Sequence, residues 1–381
     1  MKKSLMNPIA EMAQKGQLTG ILLILSTIIS LAISNSVLQQ QYLHFWHLEL
    51  GPSFFQKSLD HWINDGLMVI FFFMVGLEIR REVVRGELSD LRQSLLPVMA
   101  AIGGMAVPAL FFVAFNLQGD FLQGWAVPTA TDIAFSLGVL SLMGNKVPFA
   151  LKIFLTALAI IDDLGAVLVI AIFYTGEILP DQLLYAGATI VLLVALNRFK
   201  VRPLVFYILP GIVLWWFILH SGVHATIAGV LLAFCIPMNA VENTEHALQK
   251  PVNFLILPLF ALANTAIPFP AAGISVLVQP LSLGIIAGLL LGKPLGILSV
   301  AWLSVKAGWT QLPSSVSWRK LLAAGFTAGI GFTMSIFIAN LAFSDIIVLD
   351  GAKLAILVGS LAAGLVGVFL LIGDKERVAG E

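Results

Sequence analysis

Apolar runs of about 20 residues, recurring from Leu18 onward along most of the chain, constrain this sequence more than any other feature. That length is what a hydrocarbon layer about 30 Å thick demands of a helix rising about 1.5 Å per residue. A soluble core cannot absorb many such runs in succession. The rest of the chain agrees: 59% of its 381 residues are hydrophobic and 11% are charged, against about a quarter charged in an ordinary soluble domain. Its solvent is lipid, and the expected class is an all-α polytopic membrane protein.

Reading the runs against their Pro, Gly and charged interruptions predicts twelve helices, at 17–34, 59–79, 94–116, 121–143, 148–174, 181–197, 204–219, 222–236, 250–267, 280–305, 319–343 and 351–372. Charge provides a second test, because loops on the cytoplasmic side carry the excess Lys and Arg. With an even helix count and both ends inside, all but Lys57, Lys353 and the intramembrane Lys293 of the 21 Lys and Arg fall on the inner side. The inner set runs from Lys2, Lys3 and Lys15 through Arg80, Arg81, Arg85, Arg92, Lys146 and Lys152 to Lys375 and Arg377. The expectation is a single multi-pass transmembrane domain over 1–381 with cytoplasmic termini. The charged start, Met1-Lys2-Lys3, stands well away from the first apolar run, which therefore reads as an uncleaved helix and not a signal peptide. Between spans one and two, 35–58 reads as an external loop or short β-hairpin turning at Gly51-Pro52.

Net charge is zero and no basic stripe exists, so nucleic acid is not an expected partner. One cysteine, Cys235, excludes an intramolecular disulfide and a thiolate metal site. Small ions remain as cargo.

Charges at the centre of spans are the informative residues, since each costs roughly 2.5–3.5 kcal/mol on insertion scales. They are Asp132, Asp162, Asp163 and Lys293. Such groups must be paired, protonated or facing water. Asp162 and Asp163 are adjacent on one helix and diverge by about 100°, so one can meet a cation while the other meets a different partner. Lys293 is the natural partner for one of them. The plain alternative is a fixed ion pair joining two helices, which leaves two acids unbalanced.

Asp132 follows Pro128, Thr129 and Thr131, which weaken a continuous helix. Gly325, Gly329 and Gly331 weaken span eleven in the same way. Two interrupted helices at corresponding places predict inverted-topology repeats, 94–174 and 280–372, with spans four and eleven discontinuous. Asp132 would then offset the positive ends of the broken helices, and Lys293 the negative ends. The glycines also fit simple close helix packing. Sodium and lithium, as hard cations, favour the oxygens that Asp162, Asp163 and Thr131 supply. A desolvated carboxylate holds its proton more tightly than in water, so protons can compete with the ion for one site. Competition of that kind suffices for exchange. No resident cofactor and no catalytic residue are expected.

Thr131-Asp132-Ile133-Ala134-Phe135, Ala159-Ile160-Ile161-Asp162-Asp163-Leu164-Gly165-Ala166, Ser221-Gly222-Val223-His224-Ala225-Thr226, Gly292-Lys293-Pro294-Leu295-Gly296 and Gly329-Ile330-Gly331-Phe332-Thr333-Met334-Ser335 closely resemble the NhaA family of sodium/proton antiporters. The resemblance runs in order through nearly the whole chain. It implies a secondary active antiporter that extrudes sodium or lithium against protons at alkaline pH, assembled as a homodimer through 42–57. It makes Asp163 the principal carrier of ion and proton, Asp162 a neighbour able to pair with Lys293, and Thr131 and Asp132 residues of the helix crossing. It assigns a pH response to Glu78, Glu82, Glu245, His246 and His224. Asn243, Thr244, Gln249 and Lys250 depart from the family's basic and histidine positions. From the residues alone, Glu78, Arg81, Glu82 and Arg85 also read as a helix-end charge ladder. Asp65 reads either as lining the permeation path or as capping a helix end.

Rival classes fit less well. An intramembrane aspartyl protease wants Gly-x-Gly-Asp, which is missing, and a prenyl-type transferase wants Asp-Asp-x-x-Asp, where Ala166 interrupts. A channel exposes rings of acids or carbonyls through assembled subunits. A proton-coupled symporter of a small solute shares the expected fold.

Overall fold

The computed structural model describes residues 17–53, 55–143, 147–270, 273–313 and 315–373, without the side chains of 91–93. Lys2, Lys3, Lys15, Lys146, Lys375 and Arg377 of the charge argument lie outside the described residues, as does the side chain of Arg92. Among the described residues, eight helices are long and apolar enough to cross a membrane, or nine if one bent pair is a single span, and Val205–Leu219 is a shorter apolar helix. Exposed side chains along the long helices are apolar, as at Leu184, Val191 and Val194 or Leu361, Leu365 and Phe369. Such bands would be untenable in water and are ordinary against lipid.

The chain forms two compact units. The first comprises Met1–Leu25, Leu91–Asp162 and Phe269–Glu381. Its central contact joins helix Leu91–Asn116 to helix Pro280–Lys306 through glycine. A Cβ built on Gly103 would lie 2.2 Å from the Gly296 carbonyl oxygen, and one on Gly296 2.1 Å from the Gly103 oxygen. Lipid tails are as apolar as Leu, so association inside a bilayer relies on this kind of close packing. Leu96, Leu140, Leu151, Phe154, Leu158, Ile297 and Leu321 fill the core beside it.

Two breaks interrupt this unit. A 3₁₀ helix over Leu122–Thr129 gives way to extended backbone at Ala130 before helix Ile133–Leu142 starts. Pro128 supplies no N–H to continue an α-helical ladder. Helices Trp318–Ala328 and Phe332–Ala342 are bent by 46° across Gly329, Ile330 and Gly331. The run expected at 280–305 is helical but carries a π-type turn over Gly288–Gly292 immediately ahead of Lys293 and Pro294. Wide turns of this kind accommodate a carbonyl that a proline leaves without a donor.

The second unit comprises Ser26–Asp90 and Asp163–Pro268. Helix Leu59–Arg85 packs on the short helix Ile227–Cys235, where a Cβ on Gly229 would meet the Val69 oxygen at 2.3 Å. Phe73, Leu77, Leu193, Tyr207, Leu214 and Leu232 form the core. Two expected spans are shorter than their apolar runs. The run at 222–236 becomes helical only at Ile227, because Gly222 takes a left-handed φ of +88°. The run at 250–267 is a π-type turn, Val252–Ile256, followed by helix Leu257–Asn264. The residues read as a loop before it, including Glu245 and His246, are helical, Met238–Pro251. This polar helix has too little apolar character to register as a span.

Residues 49–50 and 57–58 pair antiparallel, Glu49 opposite Ser58 and Leu50 opposite Lys57, with Gly51 at φ +128°. Tyr42 to Trp46, by contrast, belong to a helix, Gln39–Trp46. Side chains of helix Gln17–Ser34 and its flank bind carbonyls at the end of helix Leu257–Asn264 and just beyond it. Ser30 Oγ donates to the Leu262 oxygen at 2.6 Å, and Ser34 Oγ and Asn35 Nδ2 donate to the Ile267 oxygen at 3.2 and 2.9 Å.

Gly296→Val forces the two glycine-packed backbones apart. It should cost about 1–3 kcal/mol, read as a lowered melting temperature in detergent. Gly187→Ala, in helix Pro180–Arg198 where an added Cβ meets nothing within 4 Å, should not lower the melting temperature.

Candidate functional site

The two breaks of the first unit meet and satisfy each other's backbone. The Asp132 amide donates to the Ile330 oxygen at 2.7 Å. Thr131 Oγ1 donates to the Ala328 oxygen and Ser136 Oγ to the Thr327 oxygen, both at 2.8 Å. The Thr327 and Ala328 carbonyls end the first half of the bent pair, where the helix ladder runs out, and the Thr327 oxygen also accepts from the Ile330 amide at 3.1 Å.

Asp132 serves the opposite polarity. Its Oδ1 accepts from the Phe135 amide at 2.9 Å, capping Ile133–Leu142. Its Oδ2 accepts from the Thr333 amide at 3.1 Å and the Thr333 hydroxyl at 2.5 Å, at the start of Phe332–Ala342. One carboxylate therefore stands at the N-termini of two helices, where backbone N–H groups and the helix dipole favour negative charge.

Lys293 stands at an end of the other sign. Its Nζ donates to the carbonyl of Thr129, the last residue of the 3₁₀ segment, and to Asp162 Oδ2 at 2.6 Å. The side chains of Lys293 and Asp162 are 0% and 1% exposed. Thr131 is a further neighbour of Asp162, whose second oxygen, Oδ1, is buried without a hydrogen bond. A buried acceptor left in this state is costly. Asp163, the next residue of helix Phe149–Phe173, is equally buried.

The pH-response candidates separate into two places in the second unit. Arg81 grips Glu245 with two nitrogens, Nε at 2.8 Å and Nη2 at 3.2 Å, and reaches Glu82 with Nη1 at 2.5 Å. Glu82 also accepts from the Glu87 amide at 3.0 Å, and Glu78 lies within the field of Arg81, Glu82 and Glu245. His246 is exposed. His224 is elsewhere, its Nε2 3.6 Å from Asp65 Oδ1. The Asp65 backbone carbonyl accepts from Trp215 Nε1 at 2.9 Å.

Three participants escaped the sequence reading. Thr333 was quoted only within a motif, and the Thr129 carbonyl has no side-chain signature at all. His61, whose Nε2 lies 3.7 Å from Asp65 Oδ2, was legible from its spacing, since residues four apart share a helix face.

Apolar helices, an apolar exterior and charges held at helix breaks define a multi-pass, all-helical membrane protein. A family model described as Na+/H+ antiporter 1 matches residues 10–371. The Na(+)/H(+) antiporter NhaA of Flavobacterium psychrophilum is 50% identical over 367 residues, covering 95% of this chain and 94% of that one. NhaA 2 of Flavobacterium johnsoniae is 52% identical over 363 residues, 92% of this chain and 89% of that one. NhaA of Pelagibacter ubique is 46% identical over 390 residues, 99% and 100% of the two chains. This chain belongs to the NhaA family of Na+/H+ antiporters, which are transporters and not enzymes.

Lys293→Ala leaves Asp162 buried without its cation. It should destabilise the protein by about 3–5 kcal/mol, and the double variant with Asp162→Asn should recover most of that loss. Melting temperatures of the four proteins in one detergent at pH 8 provide the check.

Proposed function

We propose that this protein exchanges cytoplasmic sodium or lithium for external protons, with Asp163 as the principal carrier and Asp162 and Thr131 as its partners. The observation that supports this reading most directly is the buried Asp162–Lys293 pair, 2.6 Å long, which leaves one carboxylate oxygen of Asp162 unused. Carboxylate and hydroxyl oxygens suit a hard monovalent cation. In a site drained of water the same carboxylates take up protons readily, so sodium and protons displace one another. Lys293 and Asp132 hold the charge balance at the crossing while the acids change state.

The remaining assignments follow from the same reading. Two protons entering for each ion leaving would move net charge, so the membrane potential could drive transport. Glu78, Glu82, Glu245, His246 and His224 would link activity to alkaline pH, and Asp65 would line the path. The chain would cross the inner membrane twelve times with both ends in the cytoplasm. The units 94–174 and 280–372 would be inverted repeats carrying the two discontinuous spans, and two copies would associate through 42–57.

Purified protein in sealed liposomes holding a proton gradient tests the reading. Sodium and lithium added outside should collapse the gradient, more steeply at alkaline pH, while potassium and choline should not. No response to any cation from folded protein would overturn it. Asp163→Asn should insert normally and abolish exchange; retained exchange in that variant would remove Asp163 from its role.

A further inference from the structure

A row of polar side chains in the second unit, apart from the Asp162–Lys293 pair, runs from water into the protein. His61 is the wet end, with its side chain 54% exposed. Asp65, one helical turn on, is 23% exposed, and His224 is 16% exposed. Thr226, at the inner end, is 1% exposed. The groups touch in that order: His61 Nε2 to Asp65 Oδ2 at 3.7 Å, Asp65 Oδ1 to His224 Nε2 at 3.6 Å, and His224 Nδ1 to Thr226 Oγ1 at 3.0 Å. The two imidazoles thus address different oxygens of one carboxylate.

The central carboxylate is held at its backbone, where Trp215 donates to the Asp65 carbonyl. Asp65 also lies in a π-type turn, Trp62–Leu67, a local widening often found at functional positions. A cleft of about 10 Å³, lined by Phe55, Lys57, His61, Trp62, Asp65 and Trp215 among others, adjoins it, room for about one water. Separations of 3.6–3.7 Å close to hydrogen-bond length by a shift of under about 1 Å or by one bridging water. Other titratable groups nearby are Lys57, on the cleft wall, and Asp60, which faces His47 at 3.8 Å. His220 contacts the Trp216 carbonyl through Nδ1.

We propose that His61, Asp65 and His224 form a proton relay that serves the exchange site from the aqueous face on the hairpin side, with His61 as its loading group. A protonated His61 gives the Nε2 proton to Asp65 Oδ2 and is left neutral. Rotation about the Asp65 Cβ–Cγ bond carries the proton across to Nε2 of His224. That imidazole becomes cationic and releases its other proton from Nδ1 to Thr226 Oγ1, which passes its own hydroxyl proton inward; Asp65 returns to carboxylate, and His61 is reloaded from water. Imidazole suits the wet end because one ring nitrogen can take a proton from water while the other donates onward. The relay rests on the antiport reading above.

The test is chemical rescue in membrane vesicles. Sodium-driven proton flux is measured for the wild type, His61→Ala and Asp65→Asn, in right-side-out and in everted vesicles, at low buffer strength. His61 is more than half exposed, so its variant keeps the fold, checked by gel filtration. His61→Ala should lose about tenfold in maximal rate, within the range of a positioned proton-transfer group, with the KM for sodium unchanged. A membrane-impermeant imidazole buffer in the bathing medium should restore flux in vesicles of one sidedness only. The same buffer should not restore Asp65→Asn, which interrupts the row beyond the loading group. Flux in His61→Ala equal to wild type, or rescue from both faces or neither, overturns the relay while wild-type exchange still stands. Absence of exchange in the wild type overturns the antiport reading itself.

Discussion

Everything in the first unit depends on one carboxylate serving two helix starts. Breaking a helix at membrane depth exposes backbone groups that lipid cannot solvate. The structure answers by crossing two breaks so that each supplies what the other lacks. Asp132 accepts from Phe135 and Thr333, while Thr131 and Ser136 donate to the carbonyls of Ala328 and Thr327. Without the crossing, neither interruption is tenable in hydrocarbon. With it, irregular backbone is brought beside a buried acid–base pair.

That arrangement explains why Lys293 is where it is. Its ammonium balances both the carboxylate of Asp162 and a helix-end carbonyl, so it answers two partial or full negative charges at once. A buried ion pair by itself is weak evidence for stability, since desolvation offsets much of the attraction. Here the pair retains an unused acceptor, Asp162 Oδ1. A fold selected for stability alone would have paired that oxygen or replaced the charges with apolar side chains.

The long helices were legible because membrane thickness writes itself into run length. The span expected at 94–116 matches helix Leu91–Asn116 to within three residues at its start and to the residue at its end, and the span expected at 17–34 ends with helix Gln17–Ser34. The shorter elements were harder to read, since hydropathy does not register a left-handed Gly222 or a π-type turn at Val252–Ile256. Polar character hid helix Met238–Pro251 altogether. In the candidate site, the cost of burying charge singled out Asp132, Asp162, Asp163 and Lys293. Which backbone groups they would meet depends on how distant segments cross, as Asp132 and Thr333 show across 201 residues. His61 is legible from its spacing of four residues to Asp65, which puts the two on one helix face.

Helix Leu257–Asn264 runs on from helix Met238–Pro251 through the π-type turn Val252–Ile256, and the carbonyls at its end have no amide further along the helix to meet. The oxygens of Leu262 and Ile267 are met instead by Ser30, Ser34 and Asn35 at the far end of the first helix. The Ser30–Leu262 bond joins residues 232 apart. At 5–20 residues per second, synthesis of that interval takes roughly 10–50 s. Throughout it helix Gln17–Ser34 has to remain within reach of a partner that does not yet exist. Biogenesis of this chain is therefore a matter of retention as much as insertion: an early segment holds its polar side chains on its own backbone, as Ser34 and Asn35 do on the Leu31 oxygen, until the later one arrives.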